Sequence, residues 1–213
     1  MANTTDSLID SSGQLVRRPV KQAAKLLNRI SKGKLTPNSV TIIGLIAHLP
    51  IAWLIATEHN LAAAILLIIF GLFDTLDGEL ARLQHRVSST GMLLDSVTDR
   101  FKEVLIYMGI AYVFSTSGQK YDVVVAMLAL GASLCVSYIN ARADSVLLAN
   151  SKANDHNKQF RGGIMRFEIR MVVIILGLLL NHLLSAVILI ALLASYTALV
   201  RLINATKKLD VQS

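Results

Sequence analysis

One cysteine, one tryptophan and three prolines are all that the 213 residues hold of those types. Cys135 has no second cysteine to form an intrachain disulfide with, and alone it cannot found a thiolate metal site. The five histidines (His48, His59, His85, His156 and His182) are scattered and make no HExxH-type pair, which argues against a zinc centre built on them. Charge is sparse too, at 16% of the chain against 54% apolar, and the mean hydropathy is +0.56. The first twelve residues, MANTTDSLIDSS, lack the basic-then-apolar order of a cleavable signal, and none is expected. Basic residues are not interleaved with aromatics, so no nucleic-acid partner is expected.

What the sequence does have is apolar runs long enough to cross a bilayer, each needing roughly 20 residues at helical rise. Six are expected, at about 39–57, 61–80, 93–114, 122–147, 166–181 and 183–203. Backbone polar groups in lipid must be satisfied within helices, so the fold class is all-α: a polytopic membrane protein. The net charge of +7 is unevenly placed. Arg17, Arg18, Lys21, Lys25, Arg29, Lys32 and Lys34 precede the first run, and Arg82 and Arg86 follow the second. Lys152, Lys158, Arg161, Arg166 and Arg170 surround the fourth-to-fifth connection, and Lys207 and Lys208 lie near the end. The alternate connections, TEHNL, STSGQKYD and NHLL, hold only Lys120. The positive-inside rule then puts both termini and the basic face in the cytoplasm, where anionic lipid attracts them.

Residues 14–32, QLVRRPVKQAAKLLNRISK, place Leu15, Val20, Ala23, Ala24, Leu26, Leu27 and Ile30 largely on one helical side, with the basic residues opposite. That pattern predicts an amphipathic helix lying on the cytoplasmic leaflet. The segment GKLTPNSVT breaks it, and Pro37 and Asn38 open the first span. NSKANDHNKQFRGG, residues 150–163, reads as a polar cytoplasmic loop ending in a glycine pair. With no internal repeat or low-complexity tract, one domain over 1–213 is expected: a juxtamembrane segment 1–36 and a six-helix core 37–204.

Leu61 to Phe73 is a run of thirteen residues without a charge, and it ends in DTLDGELAR. Asp74 and Asp77 are one helical turn apart and share a face. The next span opens with GMLLDSVTDRFKE, placing Asp95 and Asp99 at i,i+4, also on one face. The connection is short, so the helices are antiparallel neighbours and four carboxylates converge at one cytoplasmic end. Burying one aspartate at mid-membrane costs about 2.5–3.5 kcal/mol on insertion scales. Two carboxylates ~4 Å apart repel by about 4 kcal/mol at an effective dielectric near 20. Arg82 or Arg100 could offset part of this, but an oxygen-only set suits Mg²⁺, Mn²⁺ or Ca²⁺ better. A lone Asp-x-x-Asp at a span end is more often an interface feature; the second pair and the glycines change the balance. Glycine within a helix costs about 1 kcal/mol against alanine, so Gly78 beside Asp77 points to a ligand approaching the backbone. Arg82, a turn further on, offers a forked phosphate donor.

DTLDGELARLQHRVSSTGMLLDSVTD fits D-x2-D-G-x2-A-R-x8-G-x3-D-x3-D at all eight fixed positions. In this it resembles the CDP-alcohol phosphatidyltransferases, integral membrane enzymes of phospholipid synthesis, and the resemblance extends over nearly the whole chain. It implies that Asp74, Asp77, Asp95 and Asp99 hold two metal ions, usually Mg²⁺ with Mn²⁺ as a substitute, and that these bind the pyrophosphate of a CDP-linked lipid such as CDP-diacylglycerol. It further implies that Gly78, Arg82, Ser88 and Gly91 contact nucleotide and phosphates. PNSVT resembles the family's start of the first span, so Asn38, Ser39, Val40 and Thr41 would line the cytidine side. Asp99 would take the proton of an acceptor alcohol, whose oxygen attacks the lipid-bearing phosphorus and releases CMP. A homodimer in a prokaryotic cell membrane, with the site at the cytoplasmic face, completes what the resemblance implies.

Acceptor choice must lie outside that motif. SYINARAD carries Asn140, Arg142 and Asp144; GGIMRFEIR carries Arg166, Glu168 and Arg170; Arg201 comes late in the last span. Arginines at buried helix ends need a partner, and a phosphorylated acceptor would supply one. The set of Asn140, Arg142, Arg166, Arg170 and Arg201 is similar to that of bacterial phosphatidylinositol-phosphate synthases, whose S-Y-I-K-A-R-A-E has a lysine where this chain has Asn140. Inositol 1-phosphate is therefore the expected acceptor and glycerol 3-phosphate the alternative. A small ion or proton transporter is the reading of another class; it predicts carboxylates spread at mid-membrane and inverted repeats, which the pattern lacks.

Overall fold

The structure, a computed structural model, describes residues 19–118, 120–150 and 165–212. Among the described residues every regular element is a helix: α1 (residues 19–30), α2 (Pro37–Ala56), α3 (Asn60–Gly71), α4 (Phe73–Leu83), α5 (Ser89–Thr116), α6 (Lys120–Asn150), α7 (Phe167–Leu179) and α8 (Leu183–Gln212). Residues 14–18 of the expected amphipathic helix and residues 151–163 of the expected polar loop lie outside the described residues.

Among the described residues four segments are long and apolar enough to cross a membrane: Pro37–Ala56, Asn60–Leu83, Lys120–Val146 and Leu183–Lys207. The other two expected spans are helical but differ in kind. α5 has 28 residues, yet Asp95, Asp99, Arg100, Lys102 and Glu103 interrupt its apolar character. α7 has only 13 residues. Large apolar side chains such as Trp53, Leu61, Met108, Leu192 and Leu199 are more than half exposed, an outer surface suited to lipid rather than water.

The chain divides into two compact units, the first comprising Met1–Ile51 and Ile65–Leu105 and the second Ala52–Ala64 and Ile106–Ser213. In the first, α1 buries Val20 and Ala24 and ends in a left-handed pair, Lys32 (φ 51°) and Gly33 (φ 72°). The Gly33 amide reaches back to the Asn28 carbonyl at 2.9 Å, the six-to-one closure that glycine makes at a helix end. Thr36 then caps α2: its Oγ1 accepts from the Ser39 amide at 3.2 Å, and Pro37 fills the first helical position, where no amide hydrogen is needed. Gln84, just past α4, donates to Asn28 Oδ1 (2.8 Å) and to the Leu35 carbonyl (2.9 Å). The single expected run 61–80 is interrupted at Leu72, between α3 and α4, two residues ahead of Asp74.

In the second unit α8 packs along α6 and α7. Its core includes Ile110, Ala129, Val136, Ile174, Val187 and Ile190. A Cβ on Gly109 would fall 2.5 Å from the Ala52 carbonyl oxygen, so only glycine lets these backbones approach so closely.

Candidate active site

In the first unit α4 and α5 bring the motif carboxylates together. One oxygen each from Asp74, Asp95 and Asp99 lies within 4.8 Å of the other two. Such a spread lets one hard cation touch all three, with ligand bonds of roughly 2.0–2.6 Å. Asp95 Oδ1 is buried with no hydrogen-bond partner among the described residues, an orphaned acceptor of the kind a cation would satisfy. These residues fit a divalent ion.

Asp77 stands apart from this trio. It is buried, and its Oδ2 accepts a 2.5 Å hydrogen bond from the Thr41 hydroxyl of α2. The expected four-carboxylate cluster is thus three carboxylates plus a neighbour turned toward α2. Residues three apart on a helix point about 60° from one another, enough to send Asp74 and Asp77 to different partners.

Beside the carboxylates lies a cavity of about 210 Å³, lined by Pro37, Asn38, Thr41, Asp77, Gly78, Ala81, Arg82, Arg86, Val87, Ser88, Gly91, Met92 and Asp95. Six of the eight residues expected on the nucleotide side reach it: Asn38, Thr41, Gly78, Arg82, Ser88 and Gly91. Ser39 instead turns into the cap, its Oγ 2.7 Å from Thr36 Oγ1, and Val40 is buried; neither lines the cavity. A Cβ on Gly78 would meet no protein atom within 4 Å, so the backbone there faces open space. Ser88 Oγ accepts from the Gly91 amide at 3.1 Å, capping α5. Arg82 is largely exposed and pairs with Glu79 at 2.5 Å, which leaves most of its guanidinium toward solvent.

Sequence reasoning missed Lys102. Arg82 and Arg100 were the expected counter-charges, but Arg82 turns to Glu79, and Arg100 is 3.6 Å from Asp99 Oδ2 while donating to the Ser96 carbonyl at 2.8 Å. Lys102 is fully buried, and its ammonium bonds both Asp74 Oδ1 and, at 3.2 Å, Asp99 Oδ1. The available signal was its place one turn after Asp99 on a helix whose first half carries the motif. Arg86, Val87 and Met92 on the cavity wall were missed as well.

The second unit holds the expected acceptor residues. Arg170 is fully buried, donates to the Met165 carbonyl at 2.8 Å and sits 6.0 Å from the Phe167 ring centroid. Arg201, 5% exposed, donates to the Val136 carbonyl at 3.1 Å, with Arg170 and Arg166 as charged neighbours. Asn140 is half-buried, its Oδ1 buried without a hydrogen-bond partner among the described residues; Arg142 is exposed on α6. The charges of Arg166 and Arg170 thus both oppose that of Arg201 within this unit.

A family model described as CDP-alcohol phosphatidyltransferase matches residues 34–200. The chain is 32% identical to the archaetidylinositol phosphate synthase of Pyrococcus horikoshii over 196 residues, covering 92% of this chain and 95% of that one. It is 31% identical to the phosphatidylinositol phosphate synthase of Corynebacterium glutamicum over 162 residues, 75% of this chain and 68% of that one. Among solved structures, the Mycobacterium tuberculosis phosphatidylinositol phosphate synthase with CDP-DAG bound superposes with a TM-score of 0.76 at 25% identity, covering 88% of this chain and 94% of that one. The same synthase in complex with manganese and citrate also gives 0.76 at 25% identity, with 87% and 88% covered.

Proposed function

The chain belongs to the CDP-alcohol phosphatidyltransferase family, and from that premise we propose that it transfers the phosphatidyl group of CDP-diacylglycerol to inositol 1-phosphate and releases CMP. The observation that carries the reaction is the carboxylate trio beside the cavity. The acceptor rests on the gathered Arg166, Arg170 and Arg201, and on relatives whose names differ in lipid but share inositol phosphate.

Asp74, Asp95 and Asp99 would hold Mg²⁺ or Mn²⁺, with Asp77 completing a site for two ions. When bound, the ions supply positive charge to the pyrophosphate and the reacting oxygens. The rest is done by the chain. The backbone at Gly78 and Gly91 and the side chains of Asn38, Thr41, Arg82 and Ser88 bind and orient the CDP end in the cavity. Asp99 accepts the proton of the acceptor hydroxyl, and its position is held by the Lys102 ammonium on Oδ1. The acceptor oxygen forms its bond to the lipid-bearing phosphorus as the bond from that phosphorus to the CMP oxygen breaks. Arg166, Arg170 and Arg201, with Asn140 and Arg142, take the acceptor phosphate.

The same reading makes α5 and the short α7 membrane elements in addition to the four apolar spans, with both termini cytoplasmic. α1 then lies on the cytoplasmic leaflet; its Leu26 and Ile30 are exposed while Lys21 and Lys25 project from the same helix. We take the chain as one functional domain and the assembly as a homodimer in a prokaryotic cell membrane.

The experiment is CMP release by purified protein with CDP-diacylglycerol, Mg²⁺ and one acceptor at a time: inositol 1-phosphate, glycerol 3-phosphate, serine or free inositol. Release with inositol 1-phosphate alone is expected. Release with glycerol 3-phosphate instead would replace the acceptor and leave the reaction standing.

A further inference from the structure

The carboxylate centre contains a cation of its own. The Lys102 ammonium donates to Asp74 Oδ1 and Asp99 Oδ1, two of the three grouped carboxylates, whereas the third, Asp95, keeps a buried oxygen without a hydrogen-bond partner among the described residues. One side of the trio is therefore neutralised by the chain and the other is left for something else. The lysine stem is as tightly placed as its head. The residue is 0% exposed, and a Cβ on Gly44 of α2 would stand 3.9 Å from Lys102 Cε and 3.7 Å from Phe73 Cβ. The bare backbone at Gly44 and the flank of Phe73 thus border the slot in which the stem runs. A surface lysine swings into solvent when a divalent ion arrives; this one must repack its surroundings to leave.

We propose that Lys102 is a resident counter-cation of the carboxylate centre: it holds Asp74 and Asp99 together before a divalent ion binds and, by remaining there, weakens the binding of that ion. Three carboxylates less one ammonium carry the charge that one divalent ion balances, so the lysine also disfavours crowding of further ions onto the trio without a phosphate-bearing ligand. Lys102 is in this sense a positioning residue, acting on Asp99 and on the metal rather than on substrate. The inference rests on the metal-dependent reading above.

The test is Mn²⁺ binding followed by electron paramagnetic resonance on the purified full chain, without lipid or acceptor, together with thermal unfolding in EDTA and in saturating Mn²⁺. Lys102→Met is expected to bind Mn²⁺ about tenfold or more tightly, the scale on which residues backing metal ligands change affinity. Without metal it is expected to melt below the parent chain, and the gap should close as Mn²⁺ saturates. A lysine with only a structural role would, when lost, weaken metal binding or leave it unchanged, and either result overturns the proposal. If the parent chain binds no Mn²⁺ at all, the metal-dependent reading itself fails, a separate outcome. Should the methionine variant not fold in EDTA, Lys102→Gln, which keeps a donor and loses the charge, takes its place. Recovery of either variant by Mn²⁺ supports the proposal. Failure of both even in saturating Mn²⁺ overturns it, because the ion should then replace the missing charge.

Discussion

The Thr41 hydroxyl of α2 donates to Asp77 of α4 across 2.5 Å, and both residues line the same cavity. A buried carboxylate that loses such a donor loses about 1.5–3 kcal/mol of hydrogen bonding to a charged group. Thr41→Val is therefore expected to lower thermal stability in detergent and to raise KM for the CDP-lipid. Thr41→Ser, which keeps the hydroxyl, should stay close to the parent chain in both. A valine variant with unchanged KM would remove Asp77 from the nucleotide side.

Asp99→Asn keeps the shape of the side chain and removes its ability to take a proton. Turnover measured as CMP release should fall by roughly 10²–10⁴-fold, the usual worth of a positioned base. Binding of CDP-diacylglycerol in the presence of Mg²⁺ should persist. Turnover at the parent rate would assign the base elsewhere.

Gly78 separates ligand contact from packing. Because a Cβ there meets no protein atom, Gly78→Ala should leave the melting temperature unchanged or raise it, alanine being favoured over glycine in a helix by about 1 kcal/mol. The same substitution should raise KM for the CDP-lipid several-fold. Equal activity in the variant would mean that the open space beside Gly78 is not where the substrate lies.

Arg166 is exposed, unlike Arg170 and Arg201, so it can be removed with little cost to the fold. Arg166→Ala is expected to raise KM for inositol 1-phosphate while leaving KM for CDP-diacylglycerol and the melting temperature near their parent values. A parallel rise in both constants would argue against an acceptor role.

EDTA should abolish CMP release, and Mg²⁺ or Mn²⁺ added in excess should restore it. Restoration by neither would separate this chain from the metal chemistry that its carboxylates suit.

The helices and the carboxylate trio were legible because both are written in local spacing. Apolar run length marks the spans, and i,i+4 places Asp95 and Asp99 on one face. What local spacing cannot carry is a partner chosen by the third dimension. The slot for the Lys102 stem depends on Gly44 and Phe73, residues on two other helices, and nothing in DRFKE announces them. Spacing puts Asp77 on the face of Asp74, but it does not reveal that the Thr41 hydroxyl of another helix donates to Asp77 Oδ2. The expected run 61–80 falls within the single apolar span Asn60–Leu83, and only a one-residue turn at Leu72, as apolar as its neighbours, marks where α4 begins. Ser39 and Val40 lie within a run whose other members reach the cavity, and only the cap formed by Thr36 turns Ser39 away.

Gln84 links the end of α4 both to α1 and to the segment that precedes α2. Its one amide nitrogen is shared by Asn28, near the end of α1, and by the Leu35 carbonyl that precedes α2, while Gln84 itself follows Arg82 by two residues. The end of α4 is thus clasped to the helix expected to ride on the leaflet. The turn that follows the cavity-lining Arg82 is hydrogen-bonded to the end of α1, so the helix expected on the leaflet and the wall of the cavity share one anchor.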